Sequence, residues 1–315
     1  MNESKNYKYH TPVMAQEVLD YLIIPSKKQK IIDGTLGFGG HSKLMLNKND
    51  QAELLGIDRD DTAIKFTTDL LSFAKERVVI AKGKFSDLAT ISESIGWNKV
   101  DSILLDIGVS SLQIDKGERG FSFRENGPLD MRMDNKQKRT ASQILNFSCV
   151  EDLAKIFREY GEIKQAWKLA NAIVDRRADN PWFYTHELAE LCREILTLTR
   201  KNGPPAPTLC FQALRIAVND ELGELKRAVE SSIKMLNKGG RLCVISYHSL
   251  EDRIVKKIFR DEAAGCICPP GLPICMCDHK AVIKLINKKP MIPKAAEIKI
   301  NRRAGSAKMR IAEKI

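Results

Sequence analysis

Short apolar runs alternate with helical patterns along the first 106 residues, and this alternation restricts the possible folds more than any other feature of the sequence. We predict helices that begin near 41 and 62, and strands over 30–33, 53–58, 78–81 and 100–106. Strands that alternate with helices form βαβ units, in which the strands are parallel and helices cover the sheet. Late in the chain the pattern returns, with helices over 211–236 and 250–259 and a strand over 241–246. The sequence therefore predicts an α/β fold with a doubly wound sheet.

The middle of the chain breaks this rhythm. Between 113 and 209 we find no convincing strand pattern, and helices are predicted over 163–178 and 185–198. The segment Ser148-Cys149-Val150-Glu151 has the form of a capping box, which begins a helix. We therefore predict a discontinuous α/β domain, residues 1–112 and 210–315. An inserted helical domain, residues 113–209, would recognise the substrate.

A glycine-rich turn, Asp33 to Ser42, follows the first predicted strand. Glycines at 37, 39 and 40 allow a ligand to approach the backbone closely. The turn lies at the carboxyl edge of the predicted sheet, where doubly wound folds bind their ligands. Asp58 ends the second strand, 21 residues after Gly37, where an acidic side chain can accept hydrogen bonds from ribose hydroxyls. The other candidate ligand contacts at this edge are His41, Phe85 and Asp106.

The glycine pattern alone does not decide between two cofactors. A dinucleotide-binding turn has the form Gly-x-Gly-x-x-Gly/Ala, and Ser42 occupies the last of these positions. A carboxylate at Asp33 would hold the amino group of a methionine moiety, whereas it would repel a pyrophosphate. We therefore favour S-adenosylmethionine over a nicotinamide dinucleotide. The structural alternatives are a turn cap for Asp33, strand ends for Asp58 and Asp106, a helix cap for His41 and a core position for Phe85.

Positive charge is concentrated near the end of the sequence. The net charge is +11, and between 281 and 315 seven Lys and three Arg stand against two Glu. Such a segment favours a polyanionic partner, either nucleic acid or an anionic surface, although a solvated tail has the same composition. Residues 1–8 lack the apolar region of a signal peptide, and no apolar run reaches the roughly 18 residues of a membrane helix. We therefore expect a cytoplasmic protein that does not bind membranes.

The eight cysteines form two groups. Four lie apart, mostly in apolar stretches, and are expected to be small buried side chains: Cys149, Cys192, Cys210 and Cys243. The other four form two Cys-x-Cys pairs: Cys266, Cys268, Cys275 and Cys277. Sulfur ligands this close together suit tetrahedral zinc, but the usual spacing is Cys-x₂-Cys. A zinc site and a reduced, Pro-rich loop both agree with this pattern.

Several longer motifs point to a known family. They comprise residues 104–113, 119–123, 127–134, 211–219 and 246–253. From His10 to Arg310 the chain closely resembles the bacterial 16S ribosomal RNA cytosine-N4 methyltransferases, the RsmH or MraW family. The resemblance implies a class I methyltransferase fold, which is Rossmann-like, with an inserted helical domain. It also implies cofactor contacts at Gly39, Gly40, His41, Asp58, Phe85, Asp106 and Gln113.

The resemblance further implies the reaction. The enzyme would use S-adenosylmethionine to methylate N4 of one cytidine in the decoding centre of 16S rRNA, acting on the small ribosomal subunit. The chain departs from the family pattern at Ile163, where the family has Glu, at Leu209, near a position where it has Arg, and in the segment 301–310, which has fewer Arg-Ser repeats. These departures concern RNA contacts rather than the cofactor site.

Asp106 is our first candidate for catalysis and His248 the second. Cytosine N4 is a poor nucleophile because its lone pair is conjugated with the ring, so an acceptor for its N–H assists the transfer. Asp106 ends the fourth strand beside the cofactor, but the segment 106–109 lacks the aromatic platform common in amino-methyltransferases. His248 follows the fifth strand and would orient the base, unless it only caps the next helix.

RNA binding requires aromatic and basic side chains near a base that has left its stack. We predict stacking on Phe121, Phe123 or Tyr247, with core positions as the alternative. Phosphate contacts are predicted for Arg119, Arg124, Arg132, Arg302 and Arg303, with surface salt bridges as the alternative for the first three. A non-catalytic RNA-binding protein is the second class of function. The sequence leaves a homodimer open.

Overall fold

The computed structural model describes residues 12–108, 117–134, 137–196, 204–268 and 275–315. The chain divides into two compact units, one formed by Met1–Gly108 with Leu222–Ile315 and the other by Val109–Glu221. Among the described residues, no helix has both the length and the apolar character needed to cross a membrane.

The first unit is built on a mixed sheet, which has seven strands within the described residues. These are β1 Gln29–Asp33, β2 Ala52–Asp58, β3 Val78–Lys82, β4 Val100–Asp106, β5 Leu236–Ser246, β6 Ile283–Leu285 and β7 Lys308–Lys314. Their order is β3-β2-β1-β4-β5-β7-β6. The first five are parallel, whereas β7 runs antiparallel to both β5 and β6. Five parallel strands in this order form a doubly wound, Rossmann-like sheet, so the predicted α/β class is confirmed.

Two apolar cores lie on the two faces of this sheet, because neighbouring strand residues point to opposite sides. Ile31 and Leu54 belong to one core, and the adjacent Ile32 and Leu55 belong to the other. The helices of this unit are α1 Ala15–Leu22, α2 Gly40–Lys48, α3 Asp61–Leu70, α4 Leu88–Ser94, α10 Glu221–Met235, α11 Ser249–Glu262 and α12 Ala295–Ile300. Because β2 and β4 both pair with β1 in parallel, the carboxyl ends of these three strands lie at one edge of the sheet.

The second unit is helical in its described part. Its helices are α5 Ala141–Phe147, α6 Val150–Gly161, α7 Ala166–Arg177, α8 Thr185–Ile195 and α9 Ala206–Asn219. They enclose a core that includes the fully buried Phe157 and Trp182. Leu214 of α9 packs into the same core, so α9 lies in this unit. The predicted domain boundary, between residues 209 and 210, would place most of α9 in the α/β domain.

Three local predictions were wrong. The helix predicted over 211–236 is two helices, α9 and α10, because Asp220 between them has a left-handed φ of +51°. The capping box predicted at Ser148 does not form, because Ser148 ends α5; the helix begins after Cys149, whose side chain makes no cap bond. The fifth strand begins at Leu236 rather than at 241.

Candidate active site

The glycine-rich turn between β1 and α2 is held in a conformation that favours glycine. Gly37 has a φ of +50° and Gly39 has a φ of +70°. The Gly37 carbonyl accepts a hydrogen bond from Thr67 Oγ1 at 2.8 Å. A Cβ atom added at Gly39 would lie 2.5 Å from Cγ2 of the same threonine. The turn therefore packs directly against α3, and Gly40 begins α2.

Replacing Gly39 by alanine is expected to lower the free energy of unfolding by about 2–5 kcal/mol. The left-handed φ costs an L-residue about 1–2 kcal/mol, and forcing the methyl group against Thr67 adds about 1–3 kcal/mol. Gly96→Ala is the matched control, since Gly96 has a φ of +79° with nothing within 4 Å of the added Cβ. Urea unfolding should show a smaller loss of unfolding free energy for Gly96→Ala than for Gly39→Ala. Equal losses would mean that the contact with Thr67 adds no destabilisation.

Asp33 is buried at the end of β1, with 1% of its surface exposed. One carboxylate oxygen accepts a hydrogen bond from Ser42 Oγ at 2.7 Å, and the other accepts one from the Thr35 amide at 3.2 Å. Burial raises the pKa of this carboxyl, while the nearby His41 opposes the rise. The site thus keeps an acidic group where the ionised form is poorly solvated.

Asp58 ends β2 and joins two turns through its carboxylate. One oxygen accepts from the Gly37 amide at 2.8 Å, and the other accepts from the Asp60 amide at 2.8 Å. Burial raises the pKa of this carboxyl as well, against the lowering effect of those amide bonds. Asp58 therefore ties the glycine-rich turn to the end of β2.

A buried glutamate that the sequence analysis missed supports the same edge. Glu224 of α10 is fully buried and forms ion pairs with Arg59, which follows β2, and with Lys84, which follows β3. The Arg59 guanidinium also lies 5.9 Å from the ring centroid of Phe85. Glu224 lies 165 residues from Arg59 in the sequence, so no local pattern indicates the pairing.

Asp106 occupies the end of β4 and has hydrogen-bond partners from two other segments. Its amide donates to Thr35 Oγ1 at 2.7 Å, and its Oδ1 accepts from the Tyr247 hydroxyl at 2.8 Å. The Tyr247 ring packs on Gly108, where an added Cβ would lie 3.1 Å from the ring. Burial, with the nearby Asp106 charge, raises the pKa of Tyr247 far above its ordinary value, so this hydroxyl stays a donor.

The His41 ring lies between α1 and Asp106. Its Nε2 is 2.9 Å from the carbonyl oxygen of Val13. Because a carbonyl only accepts hydrogen bonds, Nε2 must carry a proton. Nδ1 then faces Asp106 Oδ2 at 3.7 Å. When the ring is neutral, its Nδ1 is an acceptor, as is Asp106 Oδ2. The space between these two atoms therefore suits an N–H donor.

His248 is the N-cap of α11. Its Nδ1 accepts a hydrogen bond from the Glu251 amide at 3.4 Å, and its Nε2 lies 2.9 Å from Glu251 Oε1. Glu251 Oε2 in turn accepts from the amides of Tyr247 and His248. His248 thus caps α11, and a role for it in orienting the base stays a prediction.

The family of the chain follows from comparison with known sequences. The sequence model of the MraW methylase family matches residues 7–315. The chain belongs to the MraW methylase family. A relative from Caldicellulosiruptor bescii, named ribosomal RNA small subunit methyltransferase H, is 45% identical over 97% of this chain and 99% of its own length. A relative of the same name from Halothermothrix orenii is 46% identical over 97% of this chain and 98% of its own.

A solved structure also resembles this MraW methylase in part. An rRNA methylase from Streptococcus thermophilus aligns with 96% of this chain and 93% of that chain, at 10% sequence identity and a TM-score of 0.41. The predicted family membership is confirmed by the sequence matches alone.

The charge of the described edge fits the methyl donor of the family, S-adenosylmethionine. Asp33, Asp58 and Asp106 end three neighbouring strands, and the Asp106 charge adds to burial in raising the pKa of both Asp33 and Tyr247. S-adenosylmethionine carries a sulfonium and an ammonium group against one carboxylate, so its net positive charge is attracted to this edge. Gly37 and Gly39, which have left-handed φ angles, expose backbone without side chains beside this edge.

The helical unit of the methylase uses most of the predicted RNA-binding residues within itself. Phe121 and Phe123 are partly buried and pack against its core. The ring centroids of Phe123 and Phe211 lie 5.2 Å apart in an edge-to-face contact. Arg132 forms an ion pair with Asp130 through two hydrogen bonds of 2.7 Å. Both phenylalanines are thus partly buried and Arg132 is ion-paired, and their contacts with RNA stay predictions.

The remaining predicted RNA contacts have different surroundings. Arg119 donates to the carbonyl oxygens of Arg132 and Met133, whereas Arg124 is exposed. Arg302 is exposed at the start of a 3₁₀ turn, Arg302–Ser306. The side chain of Arg303 and the whole of Gln113 lie outside the described residues.

The basic segment near the end of the sequence is not a free tail. It forms β7, in which Arg310 is buried and pairs with Asp252 of α11 through hydrogen bonds of 2.7 and 3.1 Å. Apolar residues that alternate with basic ones, Met309 and Ile311 on either side of Arg310, were the sequence signal for this strand. The alternative of a solvated tail was therefore wrong for this part, and binding of the segment to a polyanion stays a prediction.

Proposed function

We propose that the chain transfers a methyl group from S-adenosylmethionine to N4 of a cytidine in the decoding centre of 16S rRNA, within the small ribosomal subunit. Membership of the MraW methylase family and the names of the relatives support this proposal. The observation that carries it is Asp106, which lies at the carboxyl edge beside the glycine-rich turn with its Oδ1 held by Tyr247.

Each end of the cofactor has a matching group in the described edge. Asp58 would accept hydrogen bonds from the ribose hydroxyls, and Phe85 would pack against the adenine. Gly37, Gly39 and Gly40 would let the methionine moiety approach the backbone, while the buried charge of Asp33 and the ring of His41 would bind its ammonium group. When bound, S-adenosylmethionine supplies an electrophilic methyl group.

Asp106 would then position the nucleophile. Its carboxylate accepts one N–H of the cytosine amino group, which leaves the N4 lone pair directed at the methyl carbon. As the N4–carbon bond forms, the sulfur–carbon bond breaks and its electron pair stays on sulfur. The N4 proton passes to Asp106, so the product is neutral. Alignment of this kind contributes about 7–11 kcal/mol to catalysis.

The helical unit would recognise the RNA. Because Phe121 and Phe123 pack into its core, other aromatic rings are better candidates for stacking. Phe147, Trp167 and Tyr184 are exposed by 82%, 49% and 52% of their surfaces. Rings that face solvent can stack on unpaired bases at about 1–3 kcal/mol per base, and the exposed Arg124 would contact a phosphate.

The reaction is tested by incubating the chain with labelled S-adenosylmethionine and small ribosomal subunits that lack the modification. Digestion to nucleosides and mass analysis should reveal N4-methylcytidine, and free 16S rRNA serves as the comparison substrate. We expect transfer to the subunit. If calorimetry shows cofactor binding but no label enters the RNA, the non-catalytic RNA-binding function replaces this proposal.

A further inference from the structure

A cluster of four cysteines lies between α11 and β6, in a part of the first unit that the methyltransferase function does not use. Cys266, Cys268, Cys275 and Cys277 each direct a sulfur atom to a common centre, and all four sulfur atoms lie within 4.8 Å of one another. The Cys266 sulfur is 3.4 Å from that of Cys275 and 3.7 Å from that of Cys277. The sulfur atoms of Cys275 and Cys277 are 3.5 Å apart.

These separations match one shared metal ion. Zinc binds thiolate sulfur at about 2.3 Å with tetrahedral geometry, which places neighbouring sulfur atoms about 3.8 Å apart. A disulfide would require a sulfur–sulfur distance of about 2.05 Å, and all four of these cysteines are free. Sulfur ligands in a tetrahedral set are typical of zinc or iron.

The backbone around the cluster is arranged to stabilise thiolates. The amides of Ile267, Cys268 and Met276 donate to the sulfur atoms of Cys277, Cys266 and Cys268, each at 3.4 Å. Hydrogen bonds of this kind orient metal ligands and share their negative charge. The Nε2 atom of His279 lies 2.9 Å from the carbonyl oxygen of Asp261, so this imidazole is used elsewhere and the ligand set is four cysteines.

Packing of the described residues does not account for the positions of the four cysteines. Ile267 is 54% exposed and Met276 is 81% exposed, so the middle residue of each Cys-x-Cys pair faces solvent. The base of the segment is closed by the Val282 amide, which donates to the Glu262 carbonyl oxygen at 2.9 Å. Beyond that base, small segments without an apolar core depend on a metal or disulfides for their fold.

We propose that these four cysteines bind one zinc ion that crosslinks the connection between α11 and β6. The four protein ligands leave no open coordination position, so the site is structural rather than catalytic. Zinc binding would supply folding free energy to this segment, because the thiolates lie too close together to stay ordered without a cation. The proposal does not depend on the substrate of the methylase.

The test is metal analysis of the full chain, purified under reducing conditions and desalted. We expect about one zinc per chain by mass spectrometry, and release of that zinc when a mercurial reagent titrates the thiols. Cys266→Ser should reduce the bound zinc at least tenfold in competition with a chromogenic chelator. Cys149→Ser, which removes an exposed cysteine outside the cluster, should retain it.

Other outcomes would overturn the proposal. Zinc below about one-tenth of an ion per chain, with the four cysteines of the cluster alkylated as rapidly as the exposed Cys149, would show a reduced loop. A mass loss of two hydrogens per sulfur pair would show disulfides, and bound iron would reject zinc. Because Cys266→Ser could unfold the chain, Co²⁺ is also exchanged into the unmodified protein. Absence of the strong thiolate charge-transfer absorption of tetrahedral Co²⁺ would likewise reject the site.

Discussion

Replacing Asp106 by asparagine is expected to lower kcat for methyl transfer by about 10²–10⁴-fold, the range in which positioned proton acceptors contribute. Asparagine keeps the shape of the side chain and one acceptor for the Tyr247 hydroxyl, which lies 2.8 Å from Asp106 Oδ1. Its amide nitrogen cannot accept a proton from N4. Single-turnover transfer of label to small subunits measures this loss, and calorimetry measures the affinity for S-adenosylmethionine separately. We expect kcat to fall far more than this affinity.

Tyr247→Phe is the matched control. It removes the hydroxyl that holds Asp106 but keeps the ring that packs on Gly108. A typical hydrogen bond contributes about 0.5–1.5 kcal/mol, so kcat should fall only about 2–13-fold. If Asp106→Asn retains nearly full kcat, a different group accepts the N4 proton. Equal losses in both variants would make Asp106 a positioning residue that acts through Tyr247.

The strand ends of the site were predictable from sequence because each is a local signal. Asp33, Asp58 and Asp106 each end an apolar run, and parallel strands bring their carboxyl ends to one edge. The structure gives all three residues that place. The spacing of the glycines similarly identified the turn before its left-handed φ angles were known.

Contacts between distant parts of the chain were not predictable. Tyr247 lies 141 residues from Asp106, and the sequence indicated only an aromatic residue after a strand. Glu224 had no signal because a buried charge in a helix has the same local pattern as an exposed one. The break at Asp220 was missed because its neighbours continue the apolar periodicity of a helix. Tertiary packing decides each of these features, and one sequence does not report it.

Replacing Asp33 by asparagine is expected to change stability and cofactor affinity in opposite directions. Burial raises the pKa of Asp33, so the folded state holds the carboxyl proton more tightly than the unfolded chain does. Its stabilising contribution is present below the ordinary aspartate pKa and is lost as the pH rises through the raised pKa. At neutral pH the buried charge therefore costs stability, and asparagine removes that cost while it keeps an acceptor for Ser42 or Thr35.

The same substitution removes the charge that we propose to bind the cofactor ammonium group. Hydrogen bonds to charged groups contribute about 1.5–3 kcal/mol, so the Kd for S-adenosylmethionine should rise about 10–150-fold. Thermal unfolding of the variant without cofactor at neutral pH should show a Tm equal to or above that of the unaltered chain, and this difference should shrink in acid. In the unaltered chain the affinity should weaken as the pH falls through the raised pKa, whereas the affinity of the variant should depend less on pH.

Ser42→Ala distinguishes a binding charge from an anchor of the turn. It removes the 2.7 Å hydrogen bond to Asp33 and should lower the free energy of unfolding by about 1–3 kcal/mol, because a buried carboxylate loses a donor. Its affinity for S-adenosylmethionine should fall less than that of Asp33→Asn, since the charge remains. If Asp33→Asn instead lowers Tm and weakens binding to the same extent as Ser42→Ala, Asp33 only anchors the turn. A buried carboxylate that costs stability but improves binding is the signature of a group retained for its ligand.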